Sequence, residues 1–64
     1  MVKVNGENLD IARKTLSEYL STANYDTRRI VVERNDYIVS KTDYDTTILE
    51  DGDSIEVVSF VGGG

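Results

Sequence analysis

The sequence contains no cysteine and no histidine. Without cysteine, the chain has no means of forming a disulfide, a side-chain thiol nucleophile or a thiolate metal site. Without histidine, it lacks the one side chain whose ordinary pKa suits proton transfer near neutrality. We therefore expect a protein that binds no metal and is not an enzyme in its own right.

Long apolar segments are absent as well, because no apolar run exceeds three residues. A membrane-spanning helix needs about 20 such residues, and a signal peptide begins with a basic segment followed by an apolar one. Neither pattern occurs in the 64 residues, so the sequence predicts a cytoplasmic protein with no membrane partner.

Positive charge is scarce, since 7 basic residues stand against 12 acidic ones and the net charge is −5. An acidic surface repels the phosphates of nucleic acids. A chain of 64 residues has room for one small domain with a marginal core. We expect a single domain whose partners are proteins and not nucleic acid.

A β-hairpin is predicted at the start of the chain. Residues 1–4 form the first strand, and Asn5-Gly6 suits a type I′ turn, which needs positive φ at both central residues. Leu9 and Ile11 lie two residues apart, as apolar residues on one side of a strand do. The second strand is therefore predicted to include both of them.

A short helix is predicted after Thr15. Apolar residues follow at helical spacing, namely Leu16, Tyr19, Leu20 and Ala23. Glu18 stands three residues after Thr15, which is the spacing of a capping box. Asn24 is a suitable left-handed stop. The pattern predicts a helix of about 8 to 10 residues, with the Tyr19 and Tyr25 rings at the edge of the core.

The second half of the sequence predicts three more strands. Ile30–Val32 is a β-branched run typical of a central strand covered on both faces. Tyr37–Val39 follows the Asn35-Asp36 turn as a short strand, and Ser54–Phe60 forms the last one.

Between these strands, Ser40–Thr47 is predicted to be a polar surface loop with at most one helical turn. Ile48 and Leu49 form an apolar pair that could close the core from that loop. Asp51-Gly52-Asp53 is a turn signal. Five acidic residues lie nearby, but they lack the glycine and the final glutamate of an EF-hand, so we expect solvated turn charges at Asp43, Asp45, Glu50, Asp51 and Asp53.

The element order β-β-α-β-β-loop-β indicates the α+β class. It predicts a mixed sheet of about five strands with one main helix on one face, the first and last strands pairing in parallel at its centre. This is the β-grasp, or ubiquitin-like, architecture.

Three of the five glycines are the last three residues, Gly62, Gly63 and Gly64. A chain without side chains that ends in an α-carboxylate is flexible and thin enough to enter a narrow channel on another protein. We expect a domain over 1–61 and a flexible tail over 62–64. A frayed terminus without function is the alternative.

Several short segments carry a family resemblance: Val4–Glu7, Thr15-Leu16, Val31–Asn35, Ile38-Val39, Asp51–Asp53, Ile55–Val58 and Phe60–Gly64. On these segments the sequence resembles the ThiS family, the sulfur carriers of thiamine biosynthesis within the ubiquitin-like superfamily. The resemblance covers essentially the whole chain. Alternatives that remain open are the small subunit of molybdopterin synthase and a β-grasp module that only binds proteins.

The resemblance implies a function for the terminal carboxylate of Gly64. An adenylyltransferase similar to the ubiquitin-activating enzymes would adenylate it with ATP and Mg, while the carrier itself binds no cofactor. Sulfur from a persulfide donor such as a cysteine desulfurase would then replace AMP. The resulting thiocarboxylate would donate sulfur to thiazole synthase. Gly62 and Gly63 would form the narrow segment that precedes the reactive Gly64.

The alternation of the last strand suggests where a partner docks. If Ile55 and Val57 face the helix, then Val58 and Phe60 lie on the open face beside the tail. An exposed aromatic–aliphatic pair there is a candidate docking patch for the activating enzyme. The alternative is that Phe60 only covers the edge of the sheet.

Overall fold

The computed structural model describes residues 1–60, so the predicted tail of Gly62 to Gly64 and the domain boundary at 61 lie outside the described residues. The helix α1 and the five strands follow in the order β1 (Val2–Val4), β2 (Glu7–Leu9), α1 (Leu16–Thr22), β3 (Ile30–Arg34), β4 (Tyr37–Ile38) and β5 (Ser54–Ser59). Two short 3₁₀ turns cover Thr27–Arg29 and Lys41–Asp43.

The five strands form one mixed sheet in the spatial order β2-β1-β5-β3-β4. β1 and β5 are parallel neighbours, and every other adjacent pair is antiparallel. The first and last strands thus pair in parallel at the centre of the sheet, as the sequence predicts. This strand order, with one α-helix among residues 1–60, confirms the predicted β-grasp architecture.

The opening hairpin turns at Asn5 and Gly6, whose φ values of 50° and 85° are those that a type I′ turn requires. The second strand is shorter than predicted, because β2 ends at Leu9 and Ile11 lies in the loop that follows. That loop turns away to pair with the segment before β5: the Arg13 N–H donates to the carbonyl of Leu49. Ile11 still packs against the core, half-buried.

The N-terminus of α1 carries the predicted capping box. The Thr15 hydroxyl accepts from the Glu18 N–H at 3.1 Å, and the Glu18 carboxylate accepts from the Thr15 N–H at 2.9 Å. These bonds lower the pKa of the Glu18 carboxyl. At seven residues, α1 is shorter than predicted, and Ala23 is an exposed C-cap residue rather than part of the apolar stripe.

The helix ends early because Asn24 adopts a left-handed conformation with φ 62°. The Asn24 N–H donates to the Ser21 carbonyl at 3.2 Å, and the Tyr25 N–H donates to the Leu20 carbonyl at 3.0 Å. This pair of bonds is a Schellman motif, so the predicted stop at Asn24 is confirmed. The rings of Tyr19 and Tyr25 lie 6.4 Å apart at the edge of the core, as predicted.

The β-branched run in β3 is covered on one face only. Ile30 and Val32 are buried against the helix side, whereas Val31 between them is half-exposed. The prediction of a central strand covered on both faces is therefore wrong. The centre of the sheet is β5, and β3 lies second from the edge. No helix packs on the opposite face among residues 1–60.

Contrary to what its polar sequence suggests, the loop over residues 40–47 is not entirely on the surface, because the Tyr44 side chain is buried in the core. Its backbone closes on the start of α1: the Leu16 N–H donates to the Thr47 carbonyl at 2.8 Å, and the Ser17 N–H donates to the Tyr44 carbonyl at 3.0 Å. Two N–H groups that a helix leaves without internal partners are thereby satisfied. Burial raises the pKa of the Tyr44 phenol.

The apolar pair after this loop is divided between core and surface. Leu49 is fully buried, as expected of a residue that closes the core, but Ile48 is 51% exposed. Ile48 forms an isolated antiparallel bridge with Thr15, and this extended conformation directs neighbouring side chains to opposite sides.

The core lies between α1 and the inner face of the sheet. It consists of Val2, Val4, Leu16, Leu20, Ile30, Val32, Tyr44, Leu49, Ile55 and Val57. Within residues 1–60, the single α-helix is too short to cross a membrane.

Candidate functional site

The outer face of β5 presents apolar side chains to solvent. Ile55 and Val57 are buried under α1, while Val58 is 54% exposed on the other side of the strand. Phe60, two residues further, is 48% exposed. The predicted division of these four side chains between core and open face is confirmed. Docking of a partner on Val58 and Phe60 stays a prediction.

The register of β3 with β5 extends this surface. Val31 lies directly opposite Val58, and Glu33 lies directly opposite Glu56. Because cross-strand partners share a face, the apolar pair and the acidic pair are adjacent on the open side of the sheet. We call Val31, Glu33, Glu56, Val58 and Phe60 the open-face patch.

The acidic pair of the open-face patch is not neutralised by an ion pair in the part of the chain that the structure describes. Neither Glu33 nor Glu56 takes part in an ion pair among residues 1–60. Like charges directly opposite one another destabilise a sheet. A surface that retains such a pair next to exposed apolar groups is suited to a partner that supplies both basic and apolar side chains.

The C-terminal end of β5 is held on its β3 side. Ser59 is the register partner of Ile30, and the Phe60 N–H donates to the Arg29 carbonyl at 2.9 Å. Phe60 is the last described residue, next to the 3₁₀ turn Thr27–Arg29. The predicted acyl site, Gly64, lies outside residues 1–60, and so do Gly62 and Gly63, which precede it.

The opposite end of β5 is fixed by a buried carboxylate that sequence reasoning placed among the solvated charges. Asp53 is only 8% exposed. It accepts hydrogen bonds from Arg34 Nε at 3.0 Å, from Asn35 Nδ2 at 3.0 Å and from the Glu50 N–H at 2.9 Å. Burial opposes ionisation, but these bonds and the Arg34 charge together outweigh it and lower the pKa of the Asp53 carboxyl.

The other acidic residues of this region are exposed, as predicted: Asp43, Asp45, Glu50 and Asp51. The Asp45 carboxylate accepts from the Ser17 hydroxyl, and Asp51 pairs with the N-terminal ammonium, which lowers the pKa of the Asp51 carboxyl. Over residues 1–60, no three metal-ligating side chains come together. Of the five acidic residues predicted to be solvated, only Asp53 is buried.

Two features of this site were missed at the level of sequence, the Asp53 cluster and the opposed pair Glu33 and Glu56. Both depend on which residue of β3 lies opposite which residue of β5. The Asn35-Asp36 and Asp51–Asp53 turns are visible in the sequence, but nothing in their spacing shows that they are neighbours.

The sequence model of the ThiS family matches residues 2–64, almost the entire chain, including the three terminal glycines. This chain belongs to the ThiS family. Membership confirms the family resemblance seen in the sequence.

Relatives of known name agree with this assignment. The sulfur carrier protein ThiS of Bacillus subtilis is 35% identical over 66 residues, and the match covers all of both chains. The crystal structure of the thiamine biosynthesis protein (ThiS) from Geobacter metallireducens superposes with a TM-score of 0.78 at 31% identity, covering 98% of this chain and 97% of the other.

A third relative is a much larger protein. A thiazole synthase of Paramagnetospirillum magneticum is 40% identical over 62 residues, which is 95% of this chain but only 19% of that protein. A second thiazole synthase, from Magnetococcus marinus, is matched over 20% of its length. The chain therefore spans about one fifth of each of these thiazole synthases.

Proposed function

We propose that this chain carries sulfur for thiamine biosynthesis as a thiocarboxylate on Gly64 and donates it for thiazole formation. The observation that carries the proposal is the family match over residues 2–64, which runs through the whole domain and through Gly62, Gly63 and Gly64. The full-length match to a relative named sulfur carrier protein supports it.

The chemistry begins with a carboxylate, which is a poor electrophile because its charge is delocalised and its leaving group would be oxide. Attack of the Gly64 carboxylate on the α-phosphorus of ATP releases pyrophosphate and gives an acyl adenylate. A persulfide sulfur then attacks the acyl carbon, and AMP leaves. A second thiol then attacks the donor's own sulfur in the resulting acyl disulfide and forms a disulfide with the donor, so that the outer sulfur leaves on Gly64 as the thiocarboxylate.

The groups that drive these steps belong to partners in this proposal. The chain contains no cysteine and no histidine, so it brings neither a persulfide nor an imidazole base. ATP and Mg are used by an adenylyltransferase, and the sulfur comes from a persulfide donor such as a cysteine desulfurase. The carrier contributes its own terminal acyl group, which makes it a co-substrate of these enzymes.

The open-face patch is the surface that we assign to the adenylyltransferase. Val58 in β5 and Phe60 directly after β5 provide exposed apolar area. Glu33 and Glu56 add negative charge beside it. We expect the enzyme to present an apolar surface with basic residues at its rim.

The acceptor in this proposal is a thiazole synthase. The thiazole synthase of Paramagnetospirillum magneticum includes, within its own length, a segment 40% identical to this chain. Carrier and synthase that occur in one polypeptide in a relative are expected to act together when they are separate chains. This is the support for naming thiazole synthase as the partner.

Intact-mass spectrometry tests the proposal. The chain is incubated with its cognate adenylyltransferase, ATP, Mg and a persulfide donor, with a parallel sample that lacks ATP. A mass gain equal to one oxygen-to-sulfur exchange, seen only with ATP, is the expected result. An unchanged mass and no pyrophosphate release with this chain, from an adenylyltransferase that activates another carrier under the same conditions, would show that the chain is a binding module. Reconstitution with thiazole synthase or with molybdopterin synthase then identifies the acceptor.

A further inference from the structure

The parallel ladder between β1 and β5 continues beyond the end of β1 through a side chain. The last register pair of the two strands is Val4 with Ile55. The next residue, Asn5, donates its backbone N–H to the Ile55 carbonyl at 2.9 Å and then turns into the hairpin with φ 50°. From this point the backbone of the first hairpin no longer runs alongside β5.

The Asn5 side chain replaces the missing backbone. Its Oδ1 accepts from the Val57 N–H at 2.9 Å, and its Nδ2 donates to the Val57 carbonyl at 3.3 Å. A primary amide offers the same donor and acceptor as a peptide group, so one side chain satisfies both backbone groups of Val57. Aspartate would keep the acceptor but lose the donor, and alanine would lose both.

These bonds lie close to the point where the chain leaves the sheet. Val57 is three residues before Phe60, whose N–H is bound on the other side of β5 by the Arg29 carbonyl at 2.9 Å. Asn5 and Arg29 therefore hold opposite edges of the last stretch of β5. Both edges of β5 are therefore bound close to Phe60, the last residue that the structure describes.

We propose that Asn5 is a positioning residue for the reactions at Gly64. By holding Val57 from the hairpin side, it fixes the direction in which the C-terminal residues enter the active site of the adenylyltransferase while the open-face patch is docked. Reacting groups must be placed to within about 1 Å, and misplacement from a distance costs rate rather than affinity. This inference rests on the proposed function of Gly64.

The test compares Asn5→Ala and Asn5→Asp with the matched variants Asn8→Ala and Asn8→Asp. Asn8 is an exposed asparagine of β2, so Asn8→Asp makes the same change of charge three residues away. Thiocarboxylation is followed by intact mass at varied carrier concentration, which separates kcat from KM. Thermal melting and amide exchange of Val57 and Phe60 are measured on the same samples.

We expect both Asn5 variants to lower kcat by about tenfold or more with a smaller change in KM. Amide exchange at Val57 and Phe60 should accelerate, while both Asn8 variants behave as the unchanged chain. If Asn5→Ala does not fold, Asn5→Asp is compared with Asn8→Asp alone. Aspartate also tolerates positive φ and keeps the acceptor for the Val57 N–H, so this variant is expected to fold.

Two results overturn the inference, and they are distinguishable. If the unchanged chain gains sulfur and the Asn5 variants retain its kcat despite faster exchange at Val57, Asn5 has only a structural role. If the unchanged chain gains no sulfur with an active enzyme, the proposed function itself is wrong and the positioning role falls with it.

Discussion

Arg34 and Asp53 form an ion pair that joins the end of β3 to the start of β5. Nε and Nη2 of Arg34 both reach Oδ2 of Asp53, at 3.0 and 2.9 Å. The same guanidinium donates to the Ile48 carbonyl at 3.1 Å. One cation at the end of β3 therefore binds both the Ile48 backbone and the residue that directly precedes β5, which holds the start of β5 in its register with β3.

Replacing Asp53 by asparagine should destabilise the fold by about 2–3 kcal/mol at neutral pH, because a well-buried charge-assisted pair is broken. The lowered pKa of Asp53 means that its contribution is complete above the unfolded-state pKa of about 3.9. It is lost as the pH falls through the folded-state pKa. The free energy of unfolding, measured with urea between neutral pH and about pH 2, should therefore fall less steeply with decreasing pH for Asp53→Asn than for the unchanged chain.

The matched control for this change is Asp51→Asn in the same turn, where the carboxylate is exposed. Its stability at neutral pH should stay close to that of the unchanged chain. Equal losses for the two variants would contradict the role assigned to Asp53.

The contrast between Asp51 and Asp53 shows which features of this fold are readable in the sequence. The Asn5-Gly6 turn, the Thr15–Glu18 capping box and the Asn24 stop are predicted correctly because each depends on residues within a few positions of one another. Burial of Asp53 depends on a partner 19 residues away. No local pattern distinguishes it from its exposed neighbour.

The same reasoning applies to the loop and to the candidate site. Tyr44 lies in a polar segment, and its burial follows from a tertiary contact, since the backbone of this loop is bound to Leu16 and Ser17 at the start of α1. The alternation of β5 correctly assigned Val58 and Phe60 to the open face. The positions of Glu33 and Glu56 beside them were not predictable in this way, because they depend on the register between β3 and β5.

Substitution of Glu56 by glutamine should stabilise the fold but weaken the interaction with the adenylyltransferase. Removing one of two carboxylates that face each other across the strands should raise the free energy of unfolding by up to about 0.5 kcal/mol. It should also raise the KM for the adenylyltransferase and weaken the salt dependence of the association rate. Chemical unfolding and steady-state kinetics at two ionic strengths check both effects.

For the Glu56→Gln variant, Glu7→Gln is a suitable control, since it removes one exposed carboxylate from β2, at the far edge of the sheet. The control should leave KM unchanged. The acidic part of the open-face patch has no role in docking if both variants show the same kinetics.

Phe60→Ser should impair adenylation far more than folding. Phe60 is 48% exposed, so its loss removes apolar area that a partner would cover while leaving the core intact. Ile48→Ser serves as the control, because Ile48 is similarly exposed but lies outside the open-face patch. We expect a rise in KM only for Phe60→Ser, measured as pyrophosphate release. A collapse of the melting temperature would instead mean that Phe60 supports the fold.

Thr15→Ala should lower stability without affecting sulfur transfer. It removes the hydroxyl that accepts from the Glu18 N–H, and such caps contribute about 1 kcal/mol. The cap lies at the start of α1, on the helix side of the sheet and away from the open-face patch. Equilibrium unfolding and the thiocarboxylation rate below the transition check this. A loss of rate in folded Thr15→Ala would indicate that the helix takes part in docking.

The central claim is that sulfur is carried on the last residue of the chain. Tandem mass spectrometry of the C-terminal peptide, after incubation with adenylyltransferase, ATP, Mg and a persulfide donor, tests it most directly. We predict that the oxygen-to-sulfur exchange maps to the carboxyl group of Gly64 and that a chain lacking Gly63 and Gly64 gains no sulfur. Sulfur located on any other residue, or gained equally by the shortened chain, would contradict the account.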